Sequence, residues 1–172
     1  MIIDPRAPLL SQFEASAATE LSMKAIDNYI QHGFLIPARI ERRRMFSARQ
    51  IARLQLVEQL SGAWQIPPKT GFRAADRLLA LPICKTLLGR AVDVPEEEAW
   101  VFATVGEERV SLQRDADGDL AIVPMGGESG AALFLSLTIA PHGFIRSVLW
   151  RCCKVLAATA STQRNEPLPG EP

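Results

Sequence analysis

The sequence predicts an α+β protein in which a helical N-terminal region precedes a small antiparallel sheet and a last helix. Between residues 9 and 81, apolar residues recur at three- and four-residue spacing, which is typical of helices packed against a core. The apolar period changes to two over residues 100–139, as in strands, and returns to the helical period over 144–158.

The segment between these two regions, 81–98, predicts a domain boundary near residue 92. It reads as an irregular connector with a brief apolar turn at 83–88 and an acidic run at 96–98. The last residues of the chain are polar and rich in proline, with almost no apolar surface to bury. We therefore expect a first domain at 1–91, a small β-rich domain with the last helix at 92–160, and a flexible tail at 161–172.

Two short helices joined by a turn are predicted near the start of the chain. Residues 9–16 form an amphipathic piece with Leu10 and Phe13 facing inward, and 17–21 form the turn. The second helix covers 22–32, with Ser22 as its N-cap and a stop at Gly33. Its inward positions are Met23, Ile26, Tyr29 and Ile30, and its exposed positions are Lys24, Asp27, Asn28 and Gln31.

A basic segment, 38–46, follows this helix and is called the wing here. Phe34–Ile36 ahead of it are expected to form a short strand on the core, and Pro37 prevents a return to helix. The wing carries Arg39, Arg42, Arg43 and Arg44 against the single acid Glu41. Such a density of arginine on a short hairpin favours binding to an anionic surface, of which phosphate is the simplest.

Two further helices are predicted beyond the wing. Ser47 and Gln50 have the spacing of a capping box, and the apolar stripe Ile51, Leu54, Val57 and Leu60 follows, up to Gly62. The next helix starts at Pro67-Pro68, with Phe72, Ala75, Leu78 and Leu79 on one side.

In this order of elements the first 80 or so residues resemble the winged helix-turn-helix proteins of the MerR type. The resemblance is carried by the aromatic Tyr29 inside the second helix, the exit Gly33–Pro37 and the wing end Arg44–Ser47. It implies a DNA-binding head in which helix 22–32 lies in the major groove and the wing lies on phosphates. A transcriptional regulator that binds double-stranded DNA as a homodimer is the expected function.

The resemblance also implies roles for three residues. Lys24 is similar to a basic residue that faces bases or phosphate, Tyr29 to an aromatic that braces the helix and can reach the DNA backbone, and Arg44 to an arginine that clamps phosphate. The exposed positions of the helix and the wing add further candidates for DNA contact, namely Asp27, Asn28, Arg39, Arg42 and Arg43.

Two other functions remain open at the level of the sequence. Typical MerR-type regulators continue into a long dimerisation helix, whereas this chain is interrupted at Pro82, Gly89 and Pro95. Excisionases share the winged fold without that helix, so an architectural DNA-binding factor is one alternative. A protein-interaction adaptor without DNA binding is the other. We do not expect an enzyme, because no paired acids in an apolar setting, nucleophile motif or cofactor loop stand out.

The second half is expected to contain four strands. They are placed at 100–105, 109–113, 120–123 and 132–139. The Asp-rich loop at 115–119 resembles a calcium loop only superficially, because strands flank it, and Gly126–Gly130 lacks the following helix that a phosphate-binding loop uses. Both are interpreted as turns.

The last helix, Phe144–Ala158, has an unusually wide apolar surface. One face carries Ile145, Val148, Leu149, Cys152 and Leu156, and Trp150, Cys153 and Ala157 add a second strip. A homodimer through 144–158 and full burial against the sheet are about equally good explanations.

Net charge is zero for the whole chain but is divided between its halves. Residues 1–90 hold thirteen Lys and Arg against seven Asp and Glu, a balance of +6, whereas residues 91–172 hold six against twelve, a balance of −6. The basic half suits a polyanion, and the acidic half is not expected on DNA.

The few cysteines and histidines do not predict a metal site or a cofactor. Cys84, Cys152 and Cys153 form no C-x-x-C unit, and only His32 and His142 accompany them. Buried, reduced thiols are the main expectation, and a vicinal Cys152–Cys153 disulfide is the alternative. No signal peptide or membrane span stands out, since the longest apolar run is 131–140, so a cytoplasmic location is expected.

Overall fold

In the computed structural model the chain is a mixed α+β protein. The structure describes residues 1–102, 109–114, 120–124 and 136–165. The helices in these residues are α1 Gln12–Thr19, α2 Met23–Gln31, α3 Ala48–Trp64, α4 Pro68–Leu79, α5 Pro82–Leu88, α6 Ala99–Phe102 and α7 Pro141–Asn165. The strands are β1 Ile2–Ile3, β2 Leu10–Ser11, β3 Ala38–Ile40, β4 Arg43–Phe46, β5 Val92–Asp93, β6 Val110–Arg114, β7 Leu120–Pro124 and β8 Ser136–Ile139.

Local capping signals define the ends of the first helices. Ser11 caps α1 in a reciprocal box, in which its side chain accepts from the Glu14 N–H at 3.3 Å and its own N–H donates to the Glu14 carboxylate at 2.7 Å. The hydroxyl of Ser22 caps α2 by accepting from the Ala25 N–H, as predicted. Beyond α2, Gly33 has a positive φ of 73°, a conformation that glycine adopts without steric cost.

The wing forms a hairpin in a three-stranded antiparallel sheet of order β2-β4-β3. Strand β4 pairs with both neighbours, so Arg44 lies opposite Arg39, and Phe46 lies opposite Leu10. Both Phe46 and Leu10 are completely buried. The wing is therefore attached to the core at its root, through the side of β4 that carries Phe46.

Helices α3 and α4 form the centre of the molecule. The predicted Ser47–Gln50 capping box starts α3, and the stripe Ile51, Leu54, Val57 and Leu60 is fully buried. Pro68 starts α4, as predicted from Pro67-Pro68. At Gly71, an added Cβ would already touch the Val57 side chain at 3.5 Å, so the two helices approach closely here.

The second half contains the predicted hairpin and the last helix. Strands β6 and β7 pair antiparallel, with Val110 opposite Pro124 and Arg114 opposite Leu120, and β8 pairs with the other side of β6. The buried residues of α7 include Ile145, Val148, Leu149, Cys152 and Cys153. They pack against α1, α3 and α5 rather than against the sheet.

Among the described residues two hydrophobic clusters form the core, and each combines residues from both sides of the expected boundary near 92. The first joins the N-terminal helices to Val94 and to the buried face of α7. The second joins Leu56 and Leu60 of α3 and the Ala74–Leu78 side of α4 to Leu112, Leu120 and Ile139 of the sheet. The expected boundary therefore does not separate two independent cores, because the β-rich part and α7 both cover apolar surfaces of the N-terminal helices.

Three predictions in the N-terminal region are wrong in detail. Phe13 is 70% exposed, because Leu10 lies in strand β2 and Ser11 caps the helix, so residues 10 and 13 do not share a helix face. Met23, predicted to face inward, is 50% exposed at the start of α2. The predicted strand Phe34–Ile36 is absent, since the N–H groups of Phe34 and Leu35 instead bond to the Tyr29 carbonyl and close the end of α2.

The segment 81–102 contains more helix than predicted. Its brief apolar turn is the helix α5. The predicted strand at 100–105 is also wrong over its described part, because Ala99–Phe102 form α6, and the Trp100 and Val101 N–H groups bond three residues back to Glu97 and Glu98. Residues 103–105 lie outside the described part of the chain.

The last helix is longer than the predicted 144–158, and its final turn takes in 161–165 of the predicted flexible tail. Residues 166–172, the loops 115–119 and 126–130, and 132–135 of the fourth predicted strand lie outside the described residues. The rest of that strand is observed as β8.

Candidate nucleic-acid interface

Helix α2 presents a polar face beside the wing. Its only fully buried side chain is Ile26, and its amphipathic pattern comes from that residue together with the partly buried Tyr29 and Ile30. Lys24 and Asn28 are exposed, as predicted, and Asp27 is partly exposed. The helix is therefore held by one side and leaves the other open to a partner.

The wing is a tight hairpin with an unusual turn. Ile40 pairs with Arg43, so only Glu41 and Arg42 connect the strands, and their φ values are 49° and 68°. Two central residues with positive φ define a type I′ turn, which normally contains Asn or Gly. Glu41 and Arg42 are not residues that usually adopt positive φ, so the backbone at the tip of the hairpin is strained.

On α2 and the wing, four cationic side chains are available to bind a ligand. They are Lys24, Arg39, Arg42 and Arg43, and each is exposed. None of them forms an ion pair or a side-chain hydrogen bond with any residue that the structure describes. Two exposed apolar side chains accompany these cations. Ile36, just before the wing, is 82% exposed, and Ile40, within it, is 45% exposed. The exposed part of α2 and the wing is therefore positively charged and carries apolar side chains, with Arg39 and Arg43 on opposite faces of the hairpin.

Arg44 differs from the other wing arginines. Its guanidinium forms an ion pair with Asp27 of α2, and its Nη1 donates to the Gln12 side-chain oxygen of α1 at 3.3 Å. Its side chain is 36% exposed and that of Asp27 is 40% exposed. Two residues predicted to contact DNA are thus engaged with each other.

Tyr29 braces α2 against the centre of the molecule. Its ring meets that of Phe72 in α4 edge to face, with centroids 5.2 Å apart, and Phe34 stacks on the same Phe72 ring at 5.2 Å. The Arg53 guanidinium lies 5.1 Å from the Phe72 ring centroid. Burial, with a smaller effect of Glu58, raises the pKa of the Tyr29 hydroxyl. Tyr29 is accordingly a structural residue first, with its ring turned toward α4.

The root of the wing is tied to α3. The Gln50 side chain both accepts from the Ser47 N–H at 3.0 Å and donates to the Ile36 carbonyl at 2.8 Å. The sequence predicts the capping box of Gln50 but not its bond to Ile36, and it predicts no role for Gln12. No local pattern reveals either contact, because both join residues that are distant in sequence.

A separate cleft of about 220 Å³ lies between the 94–96 segment and α7. Its lining includes Val94, Trp150, Cys153 and Lys154, but no residue of α2 or the wing. Burial raises the pKa of the Cys153 thiol, and it raises that of its neighbour Cys152 to about 12, so both thiols are held in the protonated form. All three cysteines are reduced thiols, as predicted, and all three are buried.

The described part of the chain contains neither a cluster of metal ligands nor a helix that could span a membrane. No group of three or more His, Cys, Asp or Glu side chains there is arranged to hold a metal ion. No helix there combines the length and the apolar character needed to cross a bilayer.

Two comparisons with known proteins assign this chain to no family. No protein-family model matches this chain, and no curated protein matches it.

Proposed function

We propose that this protein binds double-stranded DNA through α2 and the wing, as a regulator similar to the MerR type. The order α1, three-residue turn, α2, hairpin and α3 is the one that a winged helix-turn-helix requires, and the hairpin is fixed to α2 and α1 through Arg44. The observation that carries the proposal is the group of four exposed cations without partners among the described residues, Lys24, Arg39, Arg42 and Arg43.

Phosphate is the ligand that best fits this group. Arg39, Arg42 and Arg43 lie on a hairpin of only a few residues, and such closely spaced like charges repel one another unless an anion lies against them. Lys24 and Asn28 would then reach the adjacent groove from the exposed face of α2. In this arrangement the wing supplies affinity, and α2 supplies the sequence preference.

An excisionase-like architectural factor is the second candidate. The observation that favours it is that α4 is followed by the seven-residue helix α5 and not by a long helix able to form a coiled coil. The buried part of the apolar surface of α7 is covered by α1, α3 and α5 of the same chain, whereas Trp150 is partly exposed and Ala157 is exposed. The buried part is therefore no longer a reason to expect a homodimer.

Salt-dependent binding to random and selected duplexes tests the proposal. With phosphate contacts from the three exposed wing arginines, log affinity should fall against log salt with a slope of about −2.7, at roughly −0.9 for each contact. The Arg43→Gln variant should bind all duplexes more weakly, and its slope should be less steep by about 0.9. Lys24→Ala or Asn28→Ala should change the ranking among duplex sequences instead.

Arg90→Gln is the matched control for this experiment. Arg90 is an exposed arginine in the basic half of the chain, but it lies after α5 and outside α2 and the wing. It should leave both affinity and slope unchanged. A flat salt response of the unmodified protein would reject DNA binding and favour the protein-interaction adaptor.

A further inference from the structure

We propose that Arg44 and Asp27 are positioning residues that set the wing against α2, and that neither contacts DNA. This inference rests on the proposed function, since it concerns how the same surface is assembled. It also reverses the role that the sequence resemblance gives to Arg44.

The register of the hairpin turns Arg44 toward the helices. Side chains alternate along a strand, so Arg44 shares a face of β4 with Phe46, which is fully buried against the core. Arg43 and Met45 share the opposite face. Arg43 is exposed and has no partner among the described residues, whereas Arg44 is only partly exposed. The two neighbouring arginines are therefore presented to different surroundings.

The charge of Arg44 is already balanced within the protein. Arg39 lies directly across from it in the hairpin, and like charges at such a cross-strand position are destabilising. The carboxylate of Asp27 offsets this repulsion by pairing with Arg44. A phosphate could engage Arg44 only by competing with that carboxylate, whereas Arg39, Arg42 and Arg43 offer themselves without such competition.

Gln12 makes the contact a three-element junction. Its side-chain oxygen accepts from Arg44 at 3.3 Å, and its side-chain nitrogen donates to the Met23 carbonyl at the start of α2 at 3.4 Å. Arg44 is thereby connected to α1 and, at two points, to α2. This junction fixes the angle between the hairpin and α2, which decides whether the wing and the helix can meet the same duplex together.

The test is a double-mutant cycle on duplex binding with Asp27→Asn, Arg44→Gln and the variant that carries both. If the two residues act through each other, each single substitution weakens binding roughly two- to five-fold, the range that one partly exposed ion pair supports. The double variant is then no weaker than either single variant. All three keep the salt slope of the unmodified protein, because no phosphate contact is lost.

Independent action on DNA gives the opposite result for Asp27. Asp27→Asn, which removes an acid that merely lies near phosphate, would then strengthen binding. Arg44→Gln would make the slope less steep by about 0.9, as Arg43→Gln does. Either observation overturns the inference. Thermal melting of each variant shows whether it is folded, and Gln12→Ala, which leaves both charges in place, should weaken binding at an unchanged slope.

The outcomes for the inference and for the proposed function are distinguishable. If the unmodified protein shows no salt-dependent duplex binding, the proposed function fails, and the inference fails with it. If the unmodified protein binds duplex, but Arg44→Gln makes the salt slope less steep by as much as Arg43→Gln does, the inference alone fails.

Discussion

At the scale of single residues, the turn of the wing stands out because its backbone conformation disagrees with its side chains. A left-handed conformation costs roughly 1–2 kcal/mol for a residue with a Cβ, and Glu41 and Arg42 both adopt it. Glycine at 42 would relieve the strain but would remove a cation from the tip of the hairpin. The strain therefore accompanies a charge that the proposed function needs.

The strain at Glu41 can be relieved without touching Arg42. Asn tolerates positive φ better than Glu, so Glu41→Asn should stabilise the protein by about 0.5–1 kcal/mol and raise the thermal midpoint by roughly 1–4 °C. Glu41→Gln removes the same charge but keeps an unsuitable side chain, so it should leave the midpoint nearly unchanged. Calorimetry of both variants separates backbone strain from charge, and equal shifts would contradict the strain.

The buried thiol of Cys152 predicts how stability depends on alkaline pH. The pKa of this thiol is about 12 in the folded protein, against a usual value of 9.0. A pKa raised by folding stabilises the folded state below the unfolded value, and this contribution is lost as pH rises through the interval between about 9 and 12. At pH 10 the loss should be on the order of 1 kcal/mol relative to pH 8.

Urea denaturation in reducing buffer at pH 8 and pH 10 measures that loss. The Cys152→Ala variant is the control, because it is less stable throughout but lacks the titrating thiol. Its free energy of unfolding should therefore fall less between the two pH values. Parallel decreases in the two proteins would show that other groups cause the pH dependence.

At the scale of secondary-structure elements, the contact between α2 and α4 depends on aromatic rings. Phe72 is 3% exposed and receives both Tyr29 and Phe34 on its ring. Edge-to-face and stacked pairs of this kind add about 0.5–1.5 kcal/mol each beyond the area that they bury. The exposed helix of the candidate interface is thus held in place by partners on a different helix.

Tyr29→Ala should destabilise the protein by about 2–3 kcal/mol, less than a fully buried aromatic, because Tyr29 is only partly buried. Tyr29→Phe should change stability by less than about 0.5 kcal/mol, since the hydroxyl forms no hydrogen bond with a described residue. Chemical denaturation of the two variants checks this. A large effect of Tyr29→Phe would mean that the hydroxyl, and not the ring, secures the helix.

Elements with local signals could be predicted from the sequence. The caps Ser22 and Ser47, the buried stripe of α3 and the β6–β7 hairpin are confirmed, because each is encoded within a few residues. Elements that depend on distant partners could not. Trp100 alternates with Phe102 as in a strand, yet its ring receives Arg146 of α7 at 5.0 Å, and its backbone forms a helical turn.

The same limit applies to the candidate interface. Exposed Lys24, Asn28, Arg39, Arg42 and Arg43 follow from periodicity and composition alone. The ion pair of Arg44 with Asp27 and the bond to Gln12 do not, because they depend on how the hairpin folds back onto α1 and α2. The sequence does not predict strand β1 for the same reason, because its partner β5 lies about 90 residues further along the chain.

At the scale of the whole molecule, the N-terminal helices depend on the C-terminal half for their cover. The buried face of α7 packs on α1, α3 and α5, and the Arg151–Glu20 ion pair joins α7 to the turn before α2 at 3.0 Å. The sheet lies on α4, with Arg77 donating to the Leu120 carbonyl. A head cut at residue 91 would expose both of these apolar surfaces to water.

A fragment of residues 1–91 should therefore fail to fold cooperatively, in contrast to the whole chain. Leu149→Ala, a fully buried substitution on α7, should cost the whole chain about 2–5 kcal/mol. Thermal melting followed by circular dichroism tests both statements. A sharp transition of the fragment, near that of the whole chain, would show that the head is an autonomous domain after all.

Helices α3 and α4 belong to both hydrophobic clusters: Leu54 and Val57 lie in one and Leu56 and Leu60 in the other, and α4 is divided in the same way. Backbone amides in these two helices can exchange with deuterium only when both clusters open, which amounts to unfolding of the entire chain. The slowest exchange should therefore be found there. Amides of the wing, at the periphery of the first cluster, should exchange through much smaller fluctuations.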